Sequence, residues 1–218
     1  MEVKYHLDGI DFKDYSVYVS SSDGLLSKPK LKKLPTQDWE TYHGSSVFLE
    51  KKYYDIRTIK LQCFIVAADA LDLINKSNIF LKLFDKPFSS RLSVSVDSSE
   101  PLVYEVYCEE ALDIDKTWKD GQMIGSFQLT LKEPEPLKKV IKKARTGDSD
   151  KTLSITFTSA KMINVYWGDG THSFDVYGTN RTITHDYTTN GIFYAVITGN
   201  IDEIAALTTN GNIVWSKL

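Results

Sequence analysis

Apolar and polar residues alternate along much of the first 134 positions of the chain. Segments 15–19, 58–65, 92–96, 103–107 and 126–131 each carry this period of two, which predicts β-strands with one face buried and the other in water. One segment departs from it. Between 67 and 84 the apolar residues Ala67, Ala70, Leu71, Ile74, Phe80, Leu81 and Phe84 recur at steps of three and four, predicting a helix of roughly four to five turns with one apolar stripe across the sheet. Asp69 early in this helix and Lys82 late in it complement the helix dipole. From Ser20 to Phe48 periodicity fades into a polar stretch holding Gly24, Pro29, Lys30, Lys32, Lys33, Pro35 and Gly44. Loops of this length in compact domains are functional or disordered. Trp39 and Tyr42 within it predict a surface to pack on, and in an assembly that surface is a neighbouring subunit.

The run Glu133-Pro134-Glu135-Pro136 stops the last of these strands, because proline cannot extend a ladder. The sequence therefore predicts a first domain over 1–136, a basic linker over 137–150, and a second domain over 151–218 that opens on the alternating strand 153–157. The second unit is short enough to be marginal alone, so it is expected to dock on the first or on a neighbour.

Charge sharpens this division. The chain has 218 residues and a net charge of -3, which gives no overall attraction to nucleic acid or anionic membrane. Locally, Lys138, Lys139, Lys142, Lys143 and Arg145 face only Asp148 and Asp150 across the linker, and the first 136 residues carry -5. The basic run lacks interleaved aromatic residues for base stacking, so it reads as a solvated linker or short helix. No apolar run approaches the roughly 20 residues that span a bilayer. Residues 1–10 lack the apolar core and cleavage site of a secretory signal. Assembly in the cytoplasm without membrane insertion is the expectation. In that compartment Cys63 and Cys108 are expected as free, partly buried thiols.

The candidate chemistry lies near the end of the chain. Val165, Tyr166 and Trp167 run into Gly168-Asp169-Gly170-Thr171, a turn in which the glycines accept φ > 0 and Asp169 locks the backbone amides. His185 and Tyr187 follow at a fixed distance. Asp169, His172 and Asp175 suggest a calcium site, but calcium takes six to eight oxygen ligands and few acids cluster here. His185 beside Asp186 suggests a general base, yet no nucleophile accompanies it. Trp39, Trp118, Trp167 and Trp215 suggest a sugar-stacking platform, with core packing an equal explanation for each. The reading favours no catalytic residue, metal or cofactor.

The turn and the later His-x-Tyr resemble the polycystic-kidney-disease-type (PKD) domain, a small immunoglobulin-like β-sandwich. The resemblance implies that Trp167, Gly168, Asp169, Gly170, His185 and Tyr187 are structural. The first 136 residues resemble the distal tail proteins of long-tailed bacteriophages, in a virion or a prophage. The residues that carry this are Leu7-Asp8-Gly9-Ile10-Asp11-Phe12, the strand from Tyr15, Lys28-Pro29-Lys30, and Tyr54-Asp55-Ile56-Arg57 leading into a strand and helix. Tyr104 to Tyr107, the turn from Gly121 to Gly125, Phe127 to Leu131 and the proline stop complete it. The resemblance implies a mainly β fold: a tail-tube-like β-sandwich or barrel with one helix, then the small sandwich. It implies a non-enzymatic subunit of a ring, a hexamer, that joins the tail tube to fibre or receptor-binding proteins in the virion tail. An acidic first domain would suit a channel wall that does not hold passing DNA. The alternative is a carbohydrate- or surface-binding module acting through the second domain, with a glycan as ligand.

Overall fold

The computed structural model describes residues 3–97, 100–110, 112–119 and 121–217; the outermost residues of the two expected domains, 1, 2 and 218, lie outside them. The first half of the chain forms β1 (Val3–Leu7), β2 (Ile10–Asp11), β3 (Val17–Asp23), β4 (Thr36–Asp38), β5 (Ser45–Val47), β6 (Arg57–Ala67), the helix α1 (Ala70–Leu81), β7 (Ser90–Val96), β8 (Leu102–Cys108), β9 (Asp115–Lys119) and β10 (Gln122–Glu133). The second half forms β11 (Lys139–Arg145), β12 (Thr152–Tyr166), β13 (His172–Asp186), β14 (Gly191–Gly199), β15 (Ile204–Thr209) and β16 (Asn212–Trp215). The protein is mainly β, and its named strand pairs are antiparallel.

Strands β2-β1-β7-β8-β10-β6-β3 form one sheet, with β9 added on β10. β6 and β10 pair along their whole length, Arg57 opposite Glu133 through Ala67 opposite Met123. The period of two appears directly in burial: Ile59, Leu61, Cys63, Ile65 and Ala67 turn inward together. They meet Leu7, Phe12, Val17, Leu92, Val94, Phe127, Leu129 and Leu131 in the first core.

The helix differs from its expectation. Asp69 is the N-cap, accepting a hydrogen bond from the Asp72 amide at 2.8 Å, while Asp72 accepts from the Ala68 amide at 2.9 Å. This reciprocal capping starts the helix at Ala70, and a 3-10 turn over Lys82–Phe84 ends it, so it is shorter than 67–84. Leu71 and Ile74 face solvent; Leu73, Ser77 and Phe80 face the core. Steps of four and three from Leu73 make a continuous stripe. Ser77 sits inside it because its hydroxyl donates to the Leu73 carbonyl at 2.7 Å. Phe80 meets Phe12 and Phe84 edge-on at 5.3 and 5.6 Å.

Strands β13-β12-β14-β11-β16 form the second sheet, with β15 on β12. β12 pairs with β15 through 155–159 and with β14 through 163–166, with register breaks between. Its inward residues Leu153, Ile155, Phe157, Ile163 and Val165 therefore serve one core with Trp167, Tyr187, Ala195 and Ile197.

The segment expected as a linker is a strand. β11 pairs with β14 from Lys139 opposite Ile197 to Arg145 opposite Gly191, and with β16 on its other side. Val140 and Ile141 supply the reason: both are fully buried, and the lysines flank them. Val140 and Val196 pack on Val103 of β8 in a third cluster, flanked by Tyr166, Tyr194 and Trp215, so apolar contact continues from one sheet to the other.

Candidate functional site

The segment between β3 and β6 carries the longest unbroken run of exposed residues among the described residues, 35–53. Near its base Leu31 bridges Tyr54, the Asp55 amide donates to the Lys30 carbonyl at 2.7 Å, and the Lys32 amide donates to the Tyr53 carbonyl at 2.9 Å. Further out, β4 and β5 pair Thr36 with Val47 and Asp38 with Ser45. The result is a two-stranded ribbon that turns around through 39–44, where Gly44 takes φ +83°. From Lys30 to Tyr53 every residue except Leu34 is exposed. Trp39 is 56% and Tyr42 61% exposed, and Phe48, Leu49 and Tyr53 are exposed as well. The stretch that looks featureless in sequence is thus an ordered arm.

Its root is tied to the 3-10 turn Ile201–Glu203 that leads into β15. Lys51 Nζ lies 2.9 Å from Glu203 Oε1, and this pairing holds the Glu203 carboxyl below its ordinary range. A cavity of about 780 Å³ lies between them, lined in part by Lys32, Tyr53, Pro136 and Lys217.

The Trp-Gly-Asp-Gly turn forms a connected unit. The Trp167 amide donates to the Thr171 carbonyl at 3.0 Å, with Gly168 at φ +103° and Gly170 at +89°. Asp169 accepts from the Thr171 amide and hydroxyl at 3.1 and 2.5 Å, and its other oxygen lies 2.6 Å from His185 Nε2. Burial works against the Asp169 charge, but the hydrogen bonds from Thr171 and His185 outweigh it and keep the carboxyl below its ordinary pKa. His185 stacks on Trp167 at 5.1 Å, and the buried Tyr187 hydroxyl donates to the Trp167 carbonyl at 2.7 Å. Trp167, Asp169, His185 and Tyr187 are thus joined by bonds and stacking, Thr171 completes the turn, and the Trp167 ring N–H donates to the Ser173 hydroxyl at 3.1 Å. The Asp175 amide is held by Asn164 at 3.0 Å. Among the described residues, no group of three or more His, Cys, Asp or Glu is arranged to hold a metal ion. The tryptophans scatter: Trp39 on the arm, Trp118 exposed on β9, Trp167 buried, and Trp215 half-buried with its ring N–H donating to the Pro101 carbonyl at 3.2 Å.

Sequence reasoning missed the charged groups buried between the sheets. Lys138 is 0%, Glu133 1% and Arg57 5% exposed. Lys138 Nζ bonds Glu133 Oε1 and lies 4.0 Å from the Tyr104 ring centre. Arg57 Nε is 3.3 Å from Glu133 Oε2, outside hydrogen-bond geometry, and its terminal nitrogens donate to the Leu25 and Pro136 carbonyls at 3.3 and 3.2 Å. Burial pushes the Glu133 carboxyl up and the Lys138 ammonium down to about 8, in each case against the pull of the opposite charge. A second link runs from Arg91 of β7. Its guanidinium pairs with Glu105 and donates to the Tyr194 carbonyl of β14. A third joins Glu100 to Lys142 at 2.6 Å and to the Tyr194 hydroxyl at 2.8 Å. The one local signal was Val140-Ile141 inside the basic run, which marks a buried strand and so a buried neighbour for Lys138.

Residues 10–132 match the family described as phage tail protein RIFT-related domain. Among solved structures, the chain resembles the Dit protein (gp 19.1) of SPP1, described as a paradigm of the hub adsorption apparatus in phages that infect Gram-positive bacteria. The identity is 16%, the TM-score 0.50, and the match covers 98% of this chain and 85% of that one. At that identity the likeness is one of fold. A search of curated proteins finds no match.

Proposed function

From the premise that this chain belongs to the phage tail protein RIFT-related domain family, a structural and non-enzymatic family, we propose that it is a distal tail or baseplate hub subunit. In this reading copies of the chain close into a ring, a hexamer, joining the tail tube to the host-recognition proteins of a phage or prophage tail. The chain then works as two units, residues 1–136 building the ring and the C-terminal unit, a PKD-like sandwich, facing outward.

The arm over residues 30–53 is the observation that carries the proposal. A ring of identical subunits needs heterologous contacts, in which one surface meets a different surface on the next copy. An isolated two-stranded hairpin is at best marginally stable in water, yet this one carries Trp39, Tyr42, Phe48, Leu49 and Tyr53 in the open. Covering those side chains is worth on the order of 1–2 kcal/mol each, counted as apolar area removed from water. A neighbouring subunit supplies that cover, and Trp39 and Tyr42 near the tip are its first contacts.

The test is to replace residues 36–47 with a short Gly-Ser turn and compare the two proteins by light scattering and negative-stain imaging. The expected outcome is a ring for the parent protein and a folded monomer, with unchanged circular dichroism, for the shortened one. A shortened protein that still forms rings refutes the role given to the arm.

A further inference from the structure

A second cleft, of about 1110 Å³, is lined by residues of both sheets, none of them shared with the arm's root cavity. It is larger than most ligand pockets, which hold roughly 300–1,000 Å³, and so has room for a chain of small units. Its floor is the outer face of β1 and β7. Leu92 and Val94 point into the core, so Ser93 and Ser95 point the other way, with His6 paired across from Ser93. Small hydroxyl-bearing side chains keep this floor low and polar.

The aromatic wall comes from both units. Phe88, just ahead of β7, lies 4.6 Å from the His172 ring, and His172 stacks on Phe174 at 4.0 Å. Ile192 and Tyr194 of β14 also line the cleft. Phe88 has φ +66° and is 68% exposed. A bulky side chain at positive φ is a genuine outlier, and outliers of this kind cluster at ligand clamps. Here the strain gives the core nothing: it holds a bare ring beside the cleft.

We propose that this cleft binds a neutral saccharide chain. The apolar face of a pyranose stacks on the ring surface offered by Phe88 and His172, while its hydroxyls exchange hydrogen bonds with Ser93, Ser95, His6 and Asp97. Asp8, Asp97, Glu105 and Asp169 line the cleft against Lys86 and Arg91, a balance that disfavours an anionic ligand. An extended peptide finds no backbone to pair with, because β7 is already bonded on both sides, to β1 and β8. The site takes residues from both halves of the chain, so it differs from a binding surface on the C-terminal unit alone and does not depend on ring formation.

The full-length protein is applied to an array of neutral oligosaccharides built from hexoses, deoxyhexoses and N-acetylhexosamines, and the best binder is titrated by calorimetry. Phe88→Gly removes the ring and relieves the positive φ, so it should weaken binding at least tenfold without lowering the melting temperature. Ser95→Trp raises the floor and should weaken binding by a similar factor, with the fold checked by circular dichroism. The proposal is overturned if the parent protein holds no neutral sugar, if it holds only acidic ones, or if both variants bind as the parent does.

Discussion

Replacing Glu133 by Gln should be among the most damaging single changes between the two sheets. The substitution keeps the side-chain shape but leaves Arg57 and Lys138 buried without their counter-charge. Breaking a buried ion pair from one side costs about 3–5 kcal/mol, because the surviving charge remains out of water. Lys138→Met is the matched control. It removes one charged hydrogen bond, about 1.5–3 kcal/mol, but Glu133 still faces Arg57 at 3.3 Å. Replacing all three together, with Arg57→Met, Glu133→Leu and Lys138→Met, removes the charges along with their desolvation cost and should fall close to the parent. Urea denaturation followed by circular dichroism gives the three free energies. In thermal scans about 1 kcal/mol corresponds to roughly 2–4 °C for a chain of this size, so Glu133→Gln should melt about 6–20 °C lower. Because Lys138 leads into the second sheet while Arg57, Tyr104 and Glu133 belong to the first, this variant should also broaden or split the transition. If Lys138→Met costs as much as Glu133→Gln, or if Glu133→Gln stays within about 1 kcal/mol of the parent, the reasoning from unpaired buried charge is wrong.

Other outcomes follow from single sites. Gly168→Ala would put a Cβ 2.6 Å from an Arg91 nitrogen and 2.9 Å from the Tyr194 carbonyl at φ +103°; it should cost about 1–3 kcal/mol in urea titration, and clearly more than Gly170→Ala, whose Cβ would meet open space. Asp169 has a folded-state pKa held below its unfolded value, so its stabilisation is full above the unfolded pKa of about 3.9 and is lost as pH falls through the folded value. Melting curves between about pH 2 and 5 should therefore fall less steeply for Asp169→Asn than for the parent. Burial pushes the Cys63 thiol up to about 12; a thiol reagent at neutral pH should modify Cys108 first and reach Cys63 only at a rate set by opening of the fold. Fast labelling of Cys63 in the native protein would contradict its place in the core.

The alternation in β6, β7 and β10 could be read directly, because a strand's side chains face opposite ways and its inward set is written at every second position; in β8 the expected water-facing side is covered instead, with Val103, Tyr104, Glu105 and Val106 all buried. The turn at Trp167 could be read too: Gly168, Asp169, Gly170 and Thr171 are neighbours in sequence and bond one another. The helix was only half legible. Its existence follows from the change of period, and Phe80 lies on the expected stripe, but the buried face continues through Ser77 and Leu73 where Leu71 and Ile74 are expected. That serine is satisfied within its own helix, which a hydrophobicity pattern does not register.

What the chain determined by itself is therefore local: strand period, turn chemistry, the proline stop after Glu133, and the presence of one helix. Tertiary structure alone decided the rest. Arg57 and Glu133 lie 76 residues apart and Arg91 and Tyr194 lie 103 apart, so nothing near any of them in sequence reveals that their charges and carbonyls meet. The same holds for β11, whose lysines look solvated until Val103 is placed against Val140. It holds for the arm as well, since polar, glycine- and proline-bearing sequence is compatible with a loop and a ribbon alike, and only the pairing of Leu31 with Tyr54 and of Thr36 with Val47 selects the ribbon. Period and turn geometry act over a few residues. Burial of charge and exposure of aromatic rings depend on what the rest of the chain brings alongside, and the proposed roles of the arm and the cleft rest on that.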